Sequence, residues 1–270
     1  MIEPTKRISA CLNALAGEGR KALVCYIVCG DPDLDSTLAA MHRLVEAGAD
    51  IIELGVPFSD PMAEGPVIQK AHERALAAGA SLHKTLSLVA EFRKNDTRTP
   101  VILMGYANPV ERMGYETFAA KASEVGVDGL LTVDLPPEEV ADLDACLQAR
   151  GLDNIFLIAP TTSDARIRAI CGAARGFVYY VSFKGVTGAD RLDADSVASS
   201  VQRIREHAQC PVMVGFGIKD AASAKAVAIH ADGIVVGSAL VSAMAASAQG
   251  GDGLDQLQAL VKSMRLALDE

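Results

Sequence analysis

Three features of the sequence predict a (β/α)8 barrel. Eight short apolar segments spread over 270 residues are each followed by a stretch with helical spacing. The apolar segments show no inside–outside alternation, which suits the strands of a parallel sheet covered by helices. A related phrase recurs where helix meets strand: Glu46-Ala47-Gly48-Ala49-Asp50-Ile51, Glu124-Val125-Gly126-Val127-Asp128-Gly129 and His230-Ala231-Asp232-Gly233-Ile234. An open doubly wound sheet is the alternative, but no Gly-x-Gly-x-x-Gly follows the first strand. With no low-complexity linker in view, residues 1–270 are expected to form a single barrel domain.

Residues 5–17 read as an extra N-terminal helix, with Ile8, Leu12 and Leu15 on one face. Strand one is 22–28, and Gly30-Asp31-Pro32-Asp33 is turn chemistry. A helix follows to about residue 47, with Leu38, Met41, Leu44 and Val45 at helical spacing. Strand two is 50–54, and helices at 67–78 and 82–94 are split by Gly79. Strand three is 101–104; a loop at 106–109 leads to a helix at 115–124. Strand four is 129–133, ending at Asp134. Pro136-Pro137 opens a helix to about residue 150, proline being well placed in a first turn. Strand five is 155–158, and Thr162-Ser163-Asp164 can cap a helix to about residue 173. Strand six, 177–181, is followed by a glycine-bearing loop at 184–190 and a helix at 194–207. Strand seven, 211–214, runs into Gly215-Phe216-Gly217 and a helix at 220–229. Strand eight, 233–236, runs into Gly237-Ser238, and the last helix covers 254–268.

Half of the residues are hydrophobic and none is Trp, so the core should be large and aliphatic. The net charge of −9 argues against nucleic acid or an anionic membrane as the main partner. It leaves room for a small anionic substrate held by backbone amides. The six cysteines, at 11, 25, 29, 146, 171 and 210, form no Cys-x-x-Cys. Reduced thiols of a cytoplasmic protein are expected, rather than disulfides or a metal site. No apolar segment follows the first charges, so no signal peptide is expected. No run approaches the ~18 apolar residues of a membrane span.

Barrels of this class keep their chemistry on the loops after the strand C-termini. The stretch from Asp50 to Pro66 is the most informative one there. It carries Glu53 inside an apolar strand, then Asp60 and Glu64 in a proline-punctuated loop. Alternation along the strand puts Ile51 and Glu53 on one face and Ile52 and Leu54 on the other. That directs Glu53 into the barrel near its mouth. Burial there raises a carboxyl pKa toward the range useful for proton transfer at neutral pH. Between Lys21 and Lys70 the only Lys or Arg is Arg43, on a helix, so a catalytic carboxylate is expected at Glu53. Asp60, between Ser59 and Pro61, reads as a turn-capping acid, and Glu64 faces either the site or the solvent.

Gly217 and the pair Gly237-Ser238 follow the last two strands, where phosphate sites recur in such barrels. Glycine lets the backbone approach the anion, and a helix N-terminus points amides at it. Gly188, on the strand-six loop, adds another amide. A phosphorylated small molecule is the implied ligand. Glycines flanking Val186-Thr187 have the composition of a hinged lid or of a plain connection. Tyr179 and Phe216 read either as walls for a ring or as core.

Taken together these motifs resemble the alpha subunit family of tryptophan synthase. The matching pieces include Gly30-Asp31-Pro32, the string Ile52-Glu53-Leu54-Gly55-Val56-Pro57-Phe58-Ser59-Asp60-Pro61, Gly65-Pro66 and Ile68-Gln69. They continue through Asn108-Pro109, Asp134-Leu135-Pro136-Pro137, Gly185-Val186-Thr187-Gly188, Gly215-Phe216-Gly217-Ile218 and Val236-Gly237-Ser238-Ala239. The resemblance implies a TIM barrel that cleaves indole-3-glycerol phosphate to indole and glyceraldehyde 3-phosphate in a retro-aldol reaction. By match, Glu53 is the main acid–base residue. Glu64 falls where the family's second carboxylate holds the indole N–H. Thr187 is the lid residue that closes toward that acid. Gly188, Gly217 and Ser238 match phosphate-binding positions, and Tyr26, Tyr179 and Phe216 match positions near the substrate. The resemblance implies no cofactor or metal in this chain. It implies a pyridoxal-phosphate-bearing beta subunit as partner, in an α2β2 complex that passes indole between sites. Asp60, Asn108 and Asp134 match the side that meets this partner, which makes Asp60 an interface acid rather than a simple turn cap.

Two departures stand out. The second acid is usually Asp, and Glu64 extends its reach by ~1.5 Å. The lid opens with Phe183-Lys184, where many relatives begin with a basic residue. Glu64→Asp is expected to keep or raise activity. Another phosphosugar barrel enzyme, or a non-catalytic activator of a partner, is the competing expectation.

Overall fold

Chain order and sheet order coincide. The computed structural model describes residues 6–181, 194–215, 217–247 and 251–270. Its parallel strands are β1 (Ala22–Val28), β2 (Ile51–Gly55), β3 (Val101–Gly105), β4 (Gly129–Thr132), β5 (Asp153–Ile158), β6 (Val178–Val181), β7 (Val212–Gly215) and β8 (Gly233–Val236). They pair in sequence and close into a barrel through β1 and β8. The helices are α1 (Arg7–Gly17), α2 (Leu34–Glu46), α3 (Pro66–Ala77), α4 (Leu82–Arg93), α5 (Ala107–Met113) and α6 (Tyr115–Val125). The rest are α7 (Ala141–Ala149), α8 (Asp164–Ala173), α9 (Ala194–Arg205), α10 (Ala221–Ala228), α11 (Ser238–Ser247) and α12 (Gly253–Asp269).

Short polar side chains start several of these helices. The Asp33 carboxylate accepts the Ser36 amide at 2.7 Å, capping α2. Ser163 caps α8, as the Thr-Ser-Asp signal predicts. Asp220 and Ser223 cap α10 reciprocally.

Two expectations are corrected and one unassigned stretch proves helical. The loop expected at 106–109 is the start of α5. Asn-Pro reads as a turn, but Pro109 sits in the first helical turn, where a missing N–H costs nothing. Asp134 supplies the partner that sequence order conceals: its carboxylate accepts the Ala107 amide at 2.8 Å. Conversely, Pro136-Pro137 does not open a helix. Glu139 turns back on the Pro136 carbonyl, and α7 starts only at Ala141. Finally, α11 begins directly after β8, in a small-residue stretch whose spacing gives no clear amphipathic signal.

The barrel has two apolar layers. Leu23, Cys25, Ile27, Ile52, Leu54 and Leu103 face the helices. Val24, Ile51, Ile102, Leu131, Ile155, Met213 and Val235 fill the interior. Ile8, Leu12 and Leu15 of α1 pack onto that interior cluster, so the extra helix plugs the barrel floor. At the opposite end Tyr26 and Val28 pack with Ala71 and Ala75 of α3 and Val241 of α11.

The recurring junction phrase has a structural meaning. In each copy the aspartate turns back to an amide at the start of the preceding strand: Asp50 to Leu23, the second residue of β1, and Asp128 and Asp232 to Val101 and Val212, the first residues of β3 and β7, all at 2.8 Å. Each also holds an arginine from elsewhere: Arg265 on Asp50, Arg93 on Asp128, and Arg205 on Asp232. A second arginine, Arg7 of α1, reaches Asp128 at 2.7 Å. The phrase is therefore a clamp at the N-terminal end of the strands, the end associated with stability in this fold.

Candidate active site

Glu53 projects from β2 into the barrel. It is 1% exposed, and among the described residues neither carboxyl oxygen has a hydrogen-bond partner. Burial without compensation pushes its pKa from 4.5 up to about 8. Its register partners are Tyr26 of β1 and Ile102 of β3. Residues paired in register point to the same face, so Tyr26 stands beside Glu53 at the mouth. The charge of Glu53 is also felt at Tyr179 of β6. Burial raises both phenols well above the usual tyrosine range.

The strand-end glycines make room for these tyrosines. A Cβ on Gly55 would lie 2.4 Å from the Tyr26 hydroxyl, and one on Gly215 would lie 2.3 Å from that of Tyr179. A larger residue at either position would have to displace the tyrosine.

Glu64 lies in the loop between β2 and α3 and is half-buried. The Tyr106 hydroxyl donates to its carboxylate and accepts the Ala63 amide at 2.9 Å. Burial raises the Glu64 pKa, and the Tyr106 bond opposes that rise. Gln69 of α3 steadies the same loop by donating to the Glu64 carbonyl at 2.9 Å. The Tyr106 ring stacks on Phe58, with centroids 4.7 Å apart. The Phe58 amide in turn donates to His72 Nδ1 at 3.0 Å. His72, on α3, is 1% exposed, and burial pushes its pKa down to about 4. Its Nε2 lies 3.4 Å from the Tyr26 hydroxyl.

The remaining expected residues fall as follows. Gly217 is exposed after β7 with φ +74°, a left-handed conformation that suits glycine. Gly237 is half-buried at the end of β8, and Ser238 is the exposed first residue of α11. Asp60, Asn108 and Asp134 are exposed. Ser59 donates to Asp60, while Asp134 caps the helix that carries Asn108. Thr187, Gly188 and Phe216, with Phe183 and Lys184, lie outside the described residues. Among the described residues, no group of three or more His, Cys, Asp or Glu is placed to hold a metal ion.

Sequence reasoning gave His72 and Tyr106 no role. A signal existed for His72: with Ile68, Ala71 and Ala75 it completes an apolar stripe at helical spacing, where a polar residue needs a partner. Tyr106 stands out in the sequence only by its place after strand three, and its contact with Glu64 emerges from the fold.

Comparison with known proteins bears on what this mouth does. A family model described as tryptophan synthase alpha chain matches residues 12–269. The tryptophan synthase alpha chain of Thioalkalivibrio sulfidiphilus is 57% identical over 97% of this chain and 99% of its own. That of Laribacter hongkongensis is 56% identical with the same coverage. The crystal structure of tryptophan synthase subunit alpha from Legionella pneumophila matches with a TM-score of 0.92 at 45% identity, covering 98% of this chain and 99% of that one. With the barrel, its acidic mouth and matches of this extent in agreement, the chain belongs to the tryptophan synthase alpha chain family.

Proposed function

We propose that Glu53 is the acid–base residue and Glu64 the carboxylate that holds the indole N–H in the reaction this chain catalyses, the retro-aldol cleavage of indole-3-glycerol phosphate to indole and glyceraldehyde 3-phosphate. The ring carbon bearing the side chain takes a proton, and positive charge develops on the indole nitrogen. The adjacent hydroxyl loses its proton, and its oxygen electrons form the carbonyl of the aldehyde. The electrons of the broken carbon–carbon bond return to the ring and restore indole. Net, one proton moves from hydroxyl to ring carbon, and a single group held near neutrality can both give and take it. Glu53, lifted to about 8, populates both forms near neutral pH. Glu64 holds the indole N–H, where its charge opposes the developing positive charge.

The observation that carries this reading is the buried Glu53 carboxyl with both oxygens unpartnered at the barrel mouth. Among the described residues no group satisfies it, which fits a substrate as its partner. Tyr26 and Tyr179 line the ring pocket in this reading, with Phe216 beside them. Gly188, Gly217, Gly237 and Ser238 hold the phosphate, supported by the α11 N-terminus at Ser238. Thr187 closes the lid toward Glu64.

The reading extends to assembly. The chain acts as one domain and partners a beta subunit in an α2β2 complex, with Asp60, Asn108 and Asp134 on the meeting side. The alpha chain family does not itself bind pyridoxal phosphate, and the reading assigns that cofactor to the beta subunit. Among the described residues no helix is long and apolar enough to cross a membrane, and the reading places the enzyme in the cytoplasm. Indole release from indole-3-glycerol phosphate tests the core of this reading. Glu53→Gln is expected to abolish it to within a small residue, and an undiminished rate would overturn the role given to Glu53.

A further inference from the structure

His72 is a buried imidazole that the reaction scheme leaves unused. Its Nδ1 accepts the Phe58 amide at 3.0 Å, so that nitrogen carries a lone pair rather than a proton. The ring stays neutral down to about pH 4, and its one proton therefore sits on Nε2. Nε2 faces the Tyr26 oxygen at 3.4 Å. The imidazole is then the donor and the phenol oxygen the acceptor, which leaves the Tyr26 proton for another group. The acid in register with Tyr26 on the next strand is Glu53, whose two oxygens lack partners among the described residues. When Glu53 loses its proton, the resulting anion needs a donor; Tyr26, its register partner, makes no hydrogen bond to it in this structure and is the phenol that would turn its proton to the anion. Tyr179 of β6 also feels the Glu53 charge, and Glu64 and Tyr106 act on Tyr26 from the loops after β2 and β3.

We propose that His72 is a positioning residue for the cleavage: pinned by the Phe58 amide, it fixes the Tyr26 hydroxyl so that the phenol proton serves the ionised form of Glu53. The opposite arm of the same imidazole supports Phe58, whose ring stacks on the Tyr106 that holds Glu64. One side chain on α3 thus ties together the supports of both acids. The proposal rests on the catalytic reading of Glu53.

Two amide substitutions separate the arms. In His72→Asn the side-chain oxygen takes the place of Nδ1 and keeps the Phe58 bond, but nothing reaches Tyr26. In His72→Gln the amide nitrogen takes the place of Nε2 and keeps the Tyr26 contact. Indole release by the full chain is measured from pH 5 to 10 for both variants, for Tyr26→Phe, and for Tyr26→Phe combined with His72→Asn. His72→Asn is expected to lower kcat about three- to tenfold, the worth of one hydrogen bond, and to leave KM within about twofold. Its Glu53 limb should move to higher pH, since a lost donor disfavours the anion. His72→Gln should keep the wild-type limb. Tyr26→Phe should reproduce the His72→Asn profile, and the double variant should be no worse than either single. Tyr26→Phe preserves the ring, so the test survives if the His72 variants fold poorly. A wild-type profile in Tyr26→Phe, or losses that multiply in the double variant while Glu53→Gln is inactive, overturns the His72 proposal alone. Full activity in Glu53→Gln overturns it together with the catalytic reading.

Discussion

Asp128 and Glu53 are equally buried, each 1% exposed, yet they stand at opposite ends of the barrel in opposite company. Asp128, at the floor, receives Arg7, Arg93 and the Val101 amide. Glu53, at the mouth, receives no hydrogen bond from the described residues. The same desolvation cost falls on both. At the floor it is offset by charge and hydrogen bonds, and the result is a structural staple between α1, α4 and the start of β3. At the mouth it is left standing, and the result is a carboxyl held near its protonation threshold. One end of the barrel pairs its acids, and the other leaves one without a partner among the described residues.

Substitutions that neutralise each acid should therefore part company. Glu53→Gln is expected to cut indole release by about a thousandfold, within the range for a lost general acid–base group. Its resistance to urea at neutral pH should equal or exceed that of the parent, because no bond is broken. Asp128→Asn should do the reverse. It is expected to cost about 3 kcal/mol of unfolding free energy, as when a buried ion pair loses one member. Its kcat per folded molecule should be unchanged. A stable Asp128→Asn variant, or a Glu53→Gln variant that unfolds readily, would erase the contrast.

The contrast also has a pH signature. The unfolded chain ionises Glu53 from about 4.5 upward, while the folded chain keeps the proton to about 8. Between those values the folded state binds the extra proton, so this group's contribution to stability falls as pH rises and levels off above 8. Relative to Glu53→Gln, the parent should lose about 1.4 kcal/mol per pH unit across that window. Urea unfolding of both proteins at pH 5, 6, 7 and 8 checks this, and parallel lines would remove Glu53 from the comparison. The smallest effect is expected at Glu64. Residues 56–65 form no helix or strand, so the loop can follow a shorter acid, and Glu64→Asp should act at or above the parent rate. A large loss in the indole assay would show instead that the Tyr106 contact has shaped the loop around the longer side chain.

Much of this was legible in the residues. Alternation between Ile51 and Ile52 sent Glu53 inward, and the structure places it there. The bounds 22–28 and 233–236 match β1 and β8, because both runs are apolar throughout and end at glycine or polar turns. The Asp50, Asp128 and Asp232 phrase marked a repeat, although its purpose needed the arginines that come from distant helices. What stayed hidden depends on three-dimensional neighbours. Pro109 looks like a turn until Asp134 is seen capping its helix, and His72 sits on an apolar stripe with no visible partner until Tyr26 and Phe58 are found on either side of it. Glu64 reads as ambiguous because its holder, Tyr106, is 42 residues away.

The central claim is that an unpartnered, buried Glu53 keeps its proton into the neutral range. Carboxyl-13C NMR of the glutamate-labelled chain, titrated from pH 4 to 10 with Glu53→Gln for assignment, tests it directly. The resonance that disappears in Glu53→Gln is expected to titrate near pH 8. A midpoint near the ordinary 4.5 would contradict the account.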